Sequence, residues 1–408
     1  MLPIVKAIGK KIMEDKLTQG NYDILICGGG MIGLATAVGL AKIGLKIAII
    51  EARKPLPFSS EQDYDLRVSA LSPKTIDTIT ELGAWATIER MRLCHIEEMR
   101  VWENPTYGDV TFTAHSIGRS DMGAIVENRV VQLALWEIAT ANENITFFCP
   151  AECAGFILEP GQAIVHLNDG ASLSGRLLIG TDGMQSAVRN AFPFGSSGGQ
   201  YKQACLVASA KTLSPQGKVA WQRFTPQGPQ AFLPLTDKQG SLIWYNSVDK
   251  IRALSKLSND QLSKKLSREF PIELGPIKIE GKASFPISKH HVKSYVHKNV
   301  LLAGDAAHTI NPLAGQGVNL GFQDVSALID TFREETRRNR DWSSSRALKK
   351  YDLRRRAANS VMMGAIDAFY FGFSNDHMPL KILRNTALFC ARFPVINKQI
   401  IRYGSGLN

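Results

Sequence analysis

The sequence predicts an α/β fold in which a parallel sheet with flanking helices is joined to a β-sheet domain and a helical C-terminus. Three observations support this fold class. Apolar strands at residues 22–27 and 300–303 each run into a glycine-rich turn and then into a helical pattern. Alternating strands fill residues 205–246, and the tail after residue 376 has helical periodicity. Strands that alternate with helices indicate a parallel sheet, whereas successive strands indicate an antiparallel one.

The first glycine-rich turn has the pattern of a dinucleotide-binding βαβ unit. A buried-type strand ends in the motif GGGMIG, a helix follows, and a second strand ends in Glu51. In this pattern Gly28 permits a tight turn, Gly30 admits a pyrophosphate, and Gly33 lets the helix and the strand pack closely. Glu51 is placed to accept hydrogen bonds from ribose hydroxyls. The unit predicts a Rossmann-like site for either FAD or NAD.

The segment VLLAGDAAHTINPLAGQGVNLG, at residues 300–321, has the same strand–turn–helix order. Asp305 closes the strand at the edge where open α/β sheets bind ligands, and its carboxylate can accept hydrogen bonds from hydroxyls. Gly315 and Gly317 let the backbone approach a flat ligand. The next helix begins there and presents free N–H groups and the positive end of its dipole. The alternative is a tight corner without a ligand.

A third strand, at residues 176–180, ends in Thr181-Asp182-Gly183. Asp182 is thus another carboxylate at the carboxyl end of a strand. Arg67 and Arg129 stand at or near the starts of helical stretches. Each of these two arginines is either a solvated surface charge or a group directed at a phosphate.

The β-rich block is expected to begin after a linker or corner at residues 195–199. Its strands alternate as a half-buried sheet does, and a helix at about 258–270 and a return strand near 278–285 follow. Most of its aromatic residues are expected in the core, and one or two could cover an apolar aromatic substrate. These residues are Trp221, Phe224, Phe232, Trp244 and Tyr245.

Composition excludes several classes of protein. The chain has 408 residues, 44% of them hydrophobic and 21% charged, as in a globular protein of two or three domains. No apolar run reaches the roughly 18–20 residues of a membrane-spanning helix. The six cysteines are scattered without the spacing of a zinc site, so free thiols and no metal are expected.

The net charge of +11 suggests attraction to an anionic surface. The tail after Asp376 has basic and apolar residues but no acidic ones. Such a tail indicates either a helix at a membrane interface or a helix packed on the core with a solvated basic face. Nucleic acid is not expected as a partner, because no recognition motif accompanies the charge.

Three motifs stand in a fixed order: GGGMIG with Glu51, Asp182-Gly183 with Arg189, and Gly304-Asp305. In this order the chain resembles the single-component FAD-dependent aromatic hydroxylases, which share the p-hydroxybenzoate hydroxylase fold. Within that group, GDAAHTINPLAGQGVNLG resembles the signature of the ubiquinone-biosynthesis hydroxylases. The stretches RVSALS, ENRVVQLALW, WQRFTPQGPQAFLPL, SLIWYNS and DAFYFGFSN resemble the enzymes of the last ring hydroxylation. The resemblance covers nearly the whole chain from Tyr22 onward.

The resemblance implies roles toward FAD. The implied cofactor-binding residues are Gly28, Gly30, Gly33 and Glu51 for the ADP half, Arg67 and Arg129 for the flavin or its phosphates, Asp182 close to the cofactor, Asp305 for the hydroxyls of the ribitol or pyrophosphate side, and Pro312, Gly317, Val318 and Asn319 against the isoalloxazine. Catalysis is implied at the backbone of Pro312, Gly315 and Gly317. His308 is expected to support the Gly-Asp turn.

The resemblance also implies the chemistry and the partners. Reduced FAD would take O₂ to a C4a-hydroperoxide, which a polyprenyl benzoquinol would attack through a ring carbon. NAD(P)H or another reductant would supply the electrons. The implied location is cytoplasmic, peripheral to the inner membrane, with other ubiquinone-biosynthesis proteins or a second copy as further partners. The alternatives are hydroxylation of another ring carbon or of a soluble phenol, and a non-catalytic flavoprotein scaffold.

The predicted domains are discontinuous in sequence. They are an N-terminal arm at residues 1–20, an FAD-binding domain at 21–95, 125–195 and 286–355, a substrate domain at 96–124 and 196–285, and a C-terminal helical region at 356–408.

Overall fold

The computed structural model describes residues 18–103, 108–311, 315–373 and 377–406. Most of the predicted N-terminal arm, residues 1–17, lies outside this part of the chain. The strands are β1 Thr18–Cys27, β2 Ile47–Ile50, β3 Val68–Leu71, β4 Cys94–His95, β5 Glu98–Trp102, β6 Asp109–Thr113, β7 Ala124–Glu127, β8 Ile145–Phe148, β9 Cys153–Glu159, β10 Gln162–Leu167, β11 Ser172–Gly180, β12 Ser196–Thr212, β13 Val219–Arg223, β14 Gln230–Thr236, β15 Gln239–Ser247, β16 Ile277–Val292, β17 Val296–His297, β18 Val300–Leu302 and β19 His308–Thr309. The helices are α1 Met31–Ala41, α2 Pro73–Leu82, α3 Trp85–Met91, α4 Asn128–Thr140, α5 Ala187–Ala191, α6 Val248–Ser255, α7 Asn259–Glu269, α8 Gln316–Arg337, α9 Ser345–Phe373, α10 Met378–Cys390 and α11 Pro394–Ser405.

A parallel sheet in the order β18–β11–β1–β2–β8 forms the centre of the first unit. The antiparallel strands β9 and β10 extend it from β11, and β17 pairs with β18. Helix α1 connects β1 to β2 and packs against α4 and α8. Because helices cover this sheet, Ile24, Ile26 and Ile47 are fully buried. The predicted α/β fold with a Rossmann-like βαβ unit is confirmed.

The second large sheet has the order β19–β16–β12–β15–β14–β13–β5–β6. It is antiparallel except where β13 pairs with β5. Helices α6 and α7 pack on it and bury a separate apolar cluster that includes Phe232, Trp244 and Phe270. A small sheet, β3–β7–β4, lies beside it. Since each large sheet has its own apolar cluster, we retain the division into FAD-binding and substrate domains as a proposal.

The prediction of a linker or corner at residues 195–199 is wrong for most of this segment. Gly195 does turn, with a φ of 60°, but Ser196–Gly199 already belong to β12 and pair with β16. The return strand near 278–285 was predicted too short, because β16 continues to Val292 along this same ladder. A Cβ atom at Gly198 would overlap the backbone of Lys289, so this glycine allows the two strands to approach closely.

The C-terminal helices lie against the second sheet. Helix α9 runs antiparallel to α8 and packs on it, α10 contacts β6, and α11 contacts the 3₁₀ turn at Ala114–Ile117. Leu388 and Ile401 are buried in this contact. Within the described residues, no helix has both the length and the apolar character needed to cross a bilayer.

Candidate functional site

The GGGMIG turn leads from β1 into α1 at the carboxyl edge of the parallel sheet. Gly28 has a φ of 104°, and a Cβ atom there would lie 2.6 Å from the Thr181 carbonyl oxygen. A Cβ at Gly33 would overlap the carbonyl oxygen of Gly28. At Gly30, by contrast, a Cβ would meet no protein atom within 4 Å. Two glycines are therefore required by the fold, whereas Gly30 faces open space.

Helix α1 begins beside that open space without a side-chain cap. Gly30 is its N-cap residue, and the first turn has no acidic side chain. The free N–H groups of a helix start bind anions such as phosphate. The amide of Gln132 in α4 donates to the Gly29 carbonyl oxygen over 2.8 Å and holds the turn from the other side.

Glu51 lies next to the turn, at the end of β2. Its Oε2 accepts a hydrogen bond from the Gly29 nitrogen at 2.5 Å, and its Oε1 accepts one from the Arg53 nitrogen at 2.9 Å. These bonds orient a half-buried carboxylate that still has acceptor capacity for hydroxyl groups.

Asp182 follows β11 and lies beside Gly28. Its Oδ2 accepts a hydrogen bond from the Val188 nitrogen at 3.1 Å. Its Oδ1 is buried and has no hydrogen-bond partner among the described residues. A buried carboxylate oxygen without a donor is costly. We infer that a donor from a bound molecule, such as a cofactor hydroxyl, occupies this position.

Arg189 joins the Asp-Gly and Gly-Asp turns. Its Nη2 donates to the Met184 carbonyl oxygen at 2.7 Å, and its Nη1 donates to the Ala306 carbonyl oxygen at 3.1 Å. Burial lowers the pKa of the guanidinium, and the negative charge of Asp182 opposes that shift. The two motifs, more than a hundred residues apart in sequence, thus form one edge of the site.

Asp305 lies in the 3₁₀ turn at Gly304–Ala306, and the residue is exposed. Surrounding protein nevertheless raises the pKa of its carboxyl group, while the neighbouring His308 and Arg67 lower it. Asp305 is therefore a carboxylate in a recess that remains open to solvent. Arg67 is exposed near this recess.

Arg129, at the start of α4, is engaged by protein. Its guanidinium forms two hydrogen bonds with Asp65, at 2.8 and 3.0 Å, and a third with the Pro57 carbonyl oxygen. Asp65 raises the pKa of the guanidinium through these bonds. This ion pair with Asp65 differs from both roles considered from the sequence. Those roles were a solvated surface charge and a group directed at a phosphate.

Helix α8 begins at the second glycine-rich turn. Gly315 is the N-cap residue, with a φ of 61°. A Cβ at Gly317 would meet the Ile310 side chain only at 3.9 Å, so packing does not require a glycine there. Val318 is half-buried. Pro312 lies outside the described residues.

Both polar atoms of the Asn319 side chain form hydrogen bonds within the protein. Its Oδ1 accepts hydrogen bonds from the Ser72 nitrogen at 2.9 Å and the Thr75 hydroxyl at 2.8 Å. Its Nδ2 donates to the carbonyl oxygens of Ala70 and Gly315. Asn319 therefore ties α8 to the β3–α2 segment, and any contact with a flavin would have to be made by its backbone.

A buried polar network under the Gly-Asp turn was not anticipated from the sequence. Oδ2 of Asp324, in α8, accepts hydrogen bonds from His308 Nε2 at 2.5 Å and from the Gly304 nitrogen at 3.1 Å. Its Oδ1 accepts from Arg355 Nε at 2.7 Å and from Asn359 at 3.2 Å. Burial favours a raised pKa for Asp324, but His308 and Arg355 outweigh it and hold the pKa well below its usual range.

This network gives His308 the supporting position expected for it. The sequence signal for Asp324 was its place on the apolar face of the predicted helix, four residues from both Leu320 and Leu328. A charge on a buried face requires partners. Nothing in the sequence indicated that Arg355 and Asn359, on the next helix, would provide them.

Known proteins are similar to this chain in sequence over most of its length. The family described as FAD binding domain matches residues 21–365. The 3-demethoxyubiquinol 3-hydroxylase of Escherichia coli (strain K12) is 38% identical over 392 residues, which cover 96% of this chain and 100% of that protein. The ubiquinone biosynthesis monooxygenase COQ6, mitochondrial, of Mus musculus is 31% identical over 417 residues, which cover 90% of this chain and 87% of that protein.

Solved structures share the fold. The p-nitrophenol 4-monooxygenase PnpA of Pseudomonas putida DLL-E4 superposes with a TM-score of 0.79 at 17% identity, over 96% of this chain and 99% of that one. Klebsiella pneumoniae HpxO, complexed with FAD and uric acid, superposes with a TM-score of 0.74 at 18% identity, over 94% and 96% of the two chains.

Proposed function

The chain belongs to the FAD-binding family of flavin-dependent monooxygenases, and from that membership we propose that it hydroxylates a polyprenyl benzoquinol in ubiquinone biosynthesis, at the last ring hydroxylation. The observation that carries this proposal is the full-length similarity to an enzyme named 3-demethoxyubiquinol 3-hydroxylase. The residues of the site fit FAD, as the unpartnered Oδ1 of Asp182 and the open space at Gly30 indicate.

Bound FAD supplies the electrons and the activated oxygen of the reaction. The chain contributes binding and orientation. The α1 N-terminus at Gly30 would receive the pyrophosphate, Glu51 would accept hydrogen bonds from ribose hydroxyls, and Asp182 Oδ1 would accept one from a further cofactor hydroxyl. Asp305 and Arg67 would hold the ribitol and phosphate side. The α8 N-terminus at Gly315–Gly317 would stabilise negative charge on the reduced flavin ring.

An apolar aromatic cluster beside this helix start supports a hydrophobic substrate. Phe224, which follows β13, packs on Phe373 with ring centroids 4.3 Å apart, and Phe369 stacks on Phe373 at 4.4 Å. Ile310, which precedes the glycine-rich turn, belongs to the same buried cluster. The cluster makes the region between the second sheet and α9 apolar, which suits a benzoquinol ring and a prenyl chain.

We also propose that α10 and α11 contact the inner-membrane surface, where a polyprenyl quinol resides. Arg384 is turned inward and pairs with Glu103, whereas apolar side chains face outward. The exposed apolar residues are Met378, Leu380, Ile382, Leu383, Phe389, Phe393, Val395, Ile396 and Ile400. Arg392, Lys398 and Arg402 are exposed among them. Outward apolar residues with interspersed cations suit an anionic lipid interface.

The pathway assignment is tested by mass spectrometry of quinones extracted from cells lacking this protein. We expect a polyprenyl quinone that lacks only the methoxy group derived from the last hydroxylation. Accumulation of an early polyprenyl phenol would assign the enzyme to another ring carbon. An unchanged ubiquinone pool, in cells with no redundant enzyme, would reject the pathway.

A further inference from the structure

A cleft lies between helices α2, α8 and α9 and the C-terminal end of α11. Its volume is about 360 Å³, within the range of roughly 300–1,000 Å³ that is typical of ligand sites. None of the residues named above for cofactor binding lines it. Among the described residues, its lining includes the cations Lys74, Arg354 and Arg355 but no acidic side chain, and we call it the basic cleft.

Two of these three cations are unpaired in the part of the chain that the structure describes. Neither the half-buried Lys74 of α2 nor the exposed Arg354 of α9 forms an ion pair or a side-chain hydrogen bond there. Asp77, one turn further along α2 from Lys74, pairs with Arg119 at 3.8 Å instead. Because the surface is concave and its cations are unpaired, it attracts anions.

Arg355 is the cation of the basic cleft that the protein holds in place. Only 6% of its side chain is exposed. Its Nε donates to Asp324 at 2.7 Å, and its Nη2 donates to Asn359 at 2.7 Å and to Gln323 at 3.4 Å. Its Nη1 has no hydrogen-bond partner in the described ranges. Since the guanidinium is already fixed, donation from Nη1 to a bound anion requires little further ordering.

The side chains, and not the helix ends, determine the sign of the charge in the basic cleft. Helix α2 begins there, and α11 ends there at Gly406. The start of a helix presents positive partial charge and its end presents negative partial charge, so the two contributions oppose each other. Asp324 balances the charge of Arg355. The excess positive charge therefore comes from Lys74 and Arg354.

Exposed apolar side chains lead to the basic cleft along α11. Tyr403 lines the cleft and is 47% exposed, and Ile396 and Ile400, both 43% exposed, precede it by seven and three positions. Residues at this spacing lie on one face of a helix. Val361 of α9, which also lines the cleft, is 62% exposed. A free inorganic anion would leave this apolar surface in water, whereas the acyl chains of a lipid would cover it.

We propose that the basic cleft binds the headgroup phosphate of an anionic phospholipid. Lys74, Arg354 and Nη1 of Arg355 would donate to the phosphate oxygens, and the acyl chains would lie along the exposed apolar face of α11. A headgroup held between α2 and α11 would fix the orientation of the protein on the bilayer. The inference rests on the proposed contact of the C-terminal helices with the membrane and names the lipid group that this contact recognises.

The first experiment uses a lipid that binds without a membrane. Isothermal titration calorimetry of the FAD-loaded protein with dihexanoyl-phosphatidylglycerol, below its critical micelle concentration, compares the wild type with Lys74→Gln combined with Arg354→Gln. The matched control, Lys256→Gln combined with Lys264→Gln, removes the same charge from exposed residues of α6 and α7. We expect saturable binding to the wild type and the control, and binding weakened about tenfold or more in the cleft variant.

A second variant tests the space of the cleft separately from its charge. Ala358 lines the cleft and is exposed, so the indole of Ala358→Trp would fill the cleft without a change of charge. This variant should weaken binding of the short-chain lipid as the loss of the cations does. Equal binding by all variants would overturn the proposal. Inorganic phosphate or dihexanoyl-phosphatidylcholine that binds as tightly as the phosphatidylglycerol would also overturn it.

Sedimentation with phosphatidylglycerol vesicles separates the headgroup site from the membrane contact. The cleft variant should bind the vesicles less tightly than the control variant. A wild type that sediments with the vesicles but does not bind the short-chain lipid would overturn the headgroup site while the membrane contact stands. A wild type that does not sediment with the vesicles would overturn both.

Discussion

At the scale of single residues, the glycines of the first turn serve different purposes, one for packing and the other for ligand access. A Cβ at Gly33 overlaps the Gly28 carbonyl oxygen, whereas a Cβ at Gly30 meets no protein atom. We predict that Gly33→Ala lowers the free energy of unfolding by about 1–3 kcal/mol or more, because the core cannot accommodate the methyl group. Gly30→Ala should keep the fold and weaken FAD binding. Urea unfolding and FAD titration of the apoprotein measure the two effects. Equal destabilisation by both variants would contradict the assignment.

The unpartnered oxygen of Asp182 leads to a second prediction at this scale. Asp182→Ala should weaken FAD binding about tenfold or more, because a hydrogen bond to a charged acceptor contributes roughly 1.5–3 kcal/mol. The apoprotein should lose only the contribution of the Val188 nitrogen's hydrogen bond to Oδ2, about 0.5–1.5 kcal/mol, since Oδ1 has no partner among the described residues. Fluorescence titration with FAD checks this, with Asp237→Ala on the β14–β15 turn as the control. An unchanged dissociation constant would remove Asp182 from the cofactor site.

At the scale of elements, the Asp324 network joins the Gly-Asp turn to α8 and α9. Removing one partner of a buried charge network typically costs about 3–5 kcal/mol, and we expect a loss of that size for Asp324→Asn. Asp330→Asn, which alters an exposed carboxylate of the same helix, is the matched control. Urea unfolding at neutral pH measures both variants. A loss no larger than that of the control would show that the network does not hold these elements together.

The same network predicts a dependence on pH. The folded-state pKa of Asp324 is depressed, so its contribution to stability is fully present above the unfolded value, roughly 4, and is lost as the pH falls through the folded value. The wild type should therefore lose more stability than Asp324→Asn between pH 5 and pH 3. Parallel unfolding curves for the two proteins over this range would contradict the prediction.

The proposed membrane contact of the apolar outer face of α10 and α11 can be tested by substitution. Leu383→Glu combined with Ile396→Glu should reduce binding to phosphatidylglycerol vesicles at least about tenfold, because apolar burial and charge attraction are both weakened. Leu56→Glu with Leu213→Glu, which alters exposed apolar residues outside the C-terminal helices, is the control. Vesicle sedimentation measures the binding. If both double variants sediment like the wild type, these helices do not face lipid.

At the scale of the whole molecule, the sequence predicted the fold class, and it predicted the turns where strand, glycine and helix follow one another. Those features are local: GGGMIG must turn where it does because Gly28 and Gly33 have no room for a side chain. Contacts between distant segments were not predictable in this way. The pairing of Arg129 with Asp65, and of Asp367 with Tyr201 and Lys289, depends on how separate elements meet.

The most direct test of the central claim is oxygen incorporation by the purified, FAD-loaded protein. A short-chain demethoxyubiquinol is incubated with ¹⁸O₂ and a reductant, and the product is analysed by mass spectrometry and NMR. We predict one ¹⁸O atom, as a hydroxyl at the unsubstituted ring carbon. Oxygen consumption that yields only hydrogen peroxide, or a label at another position, would contradict the proposed function.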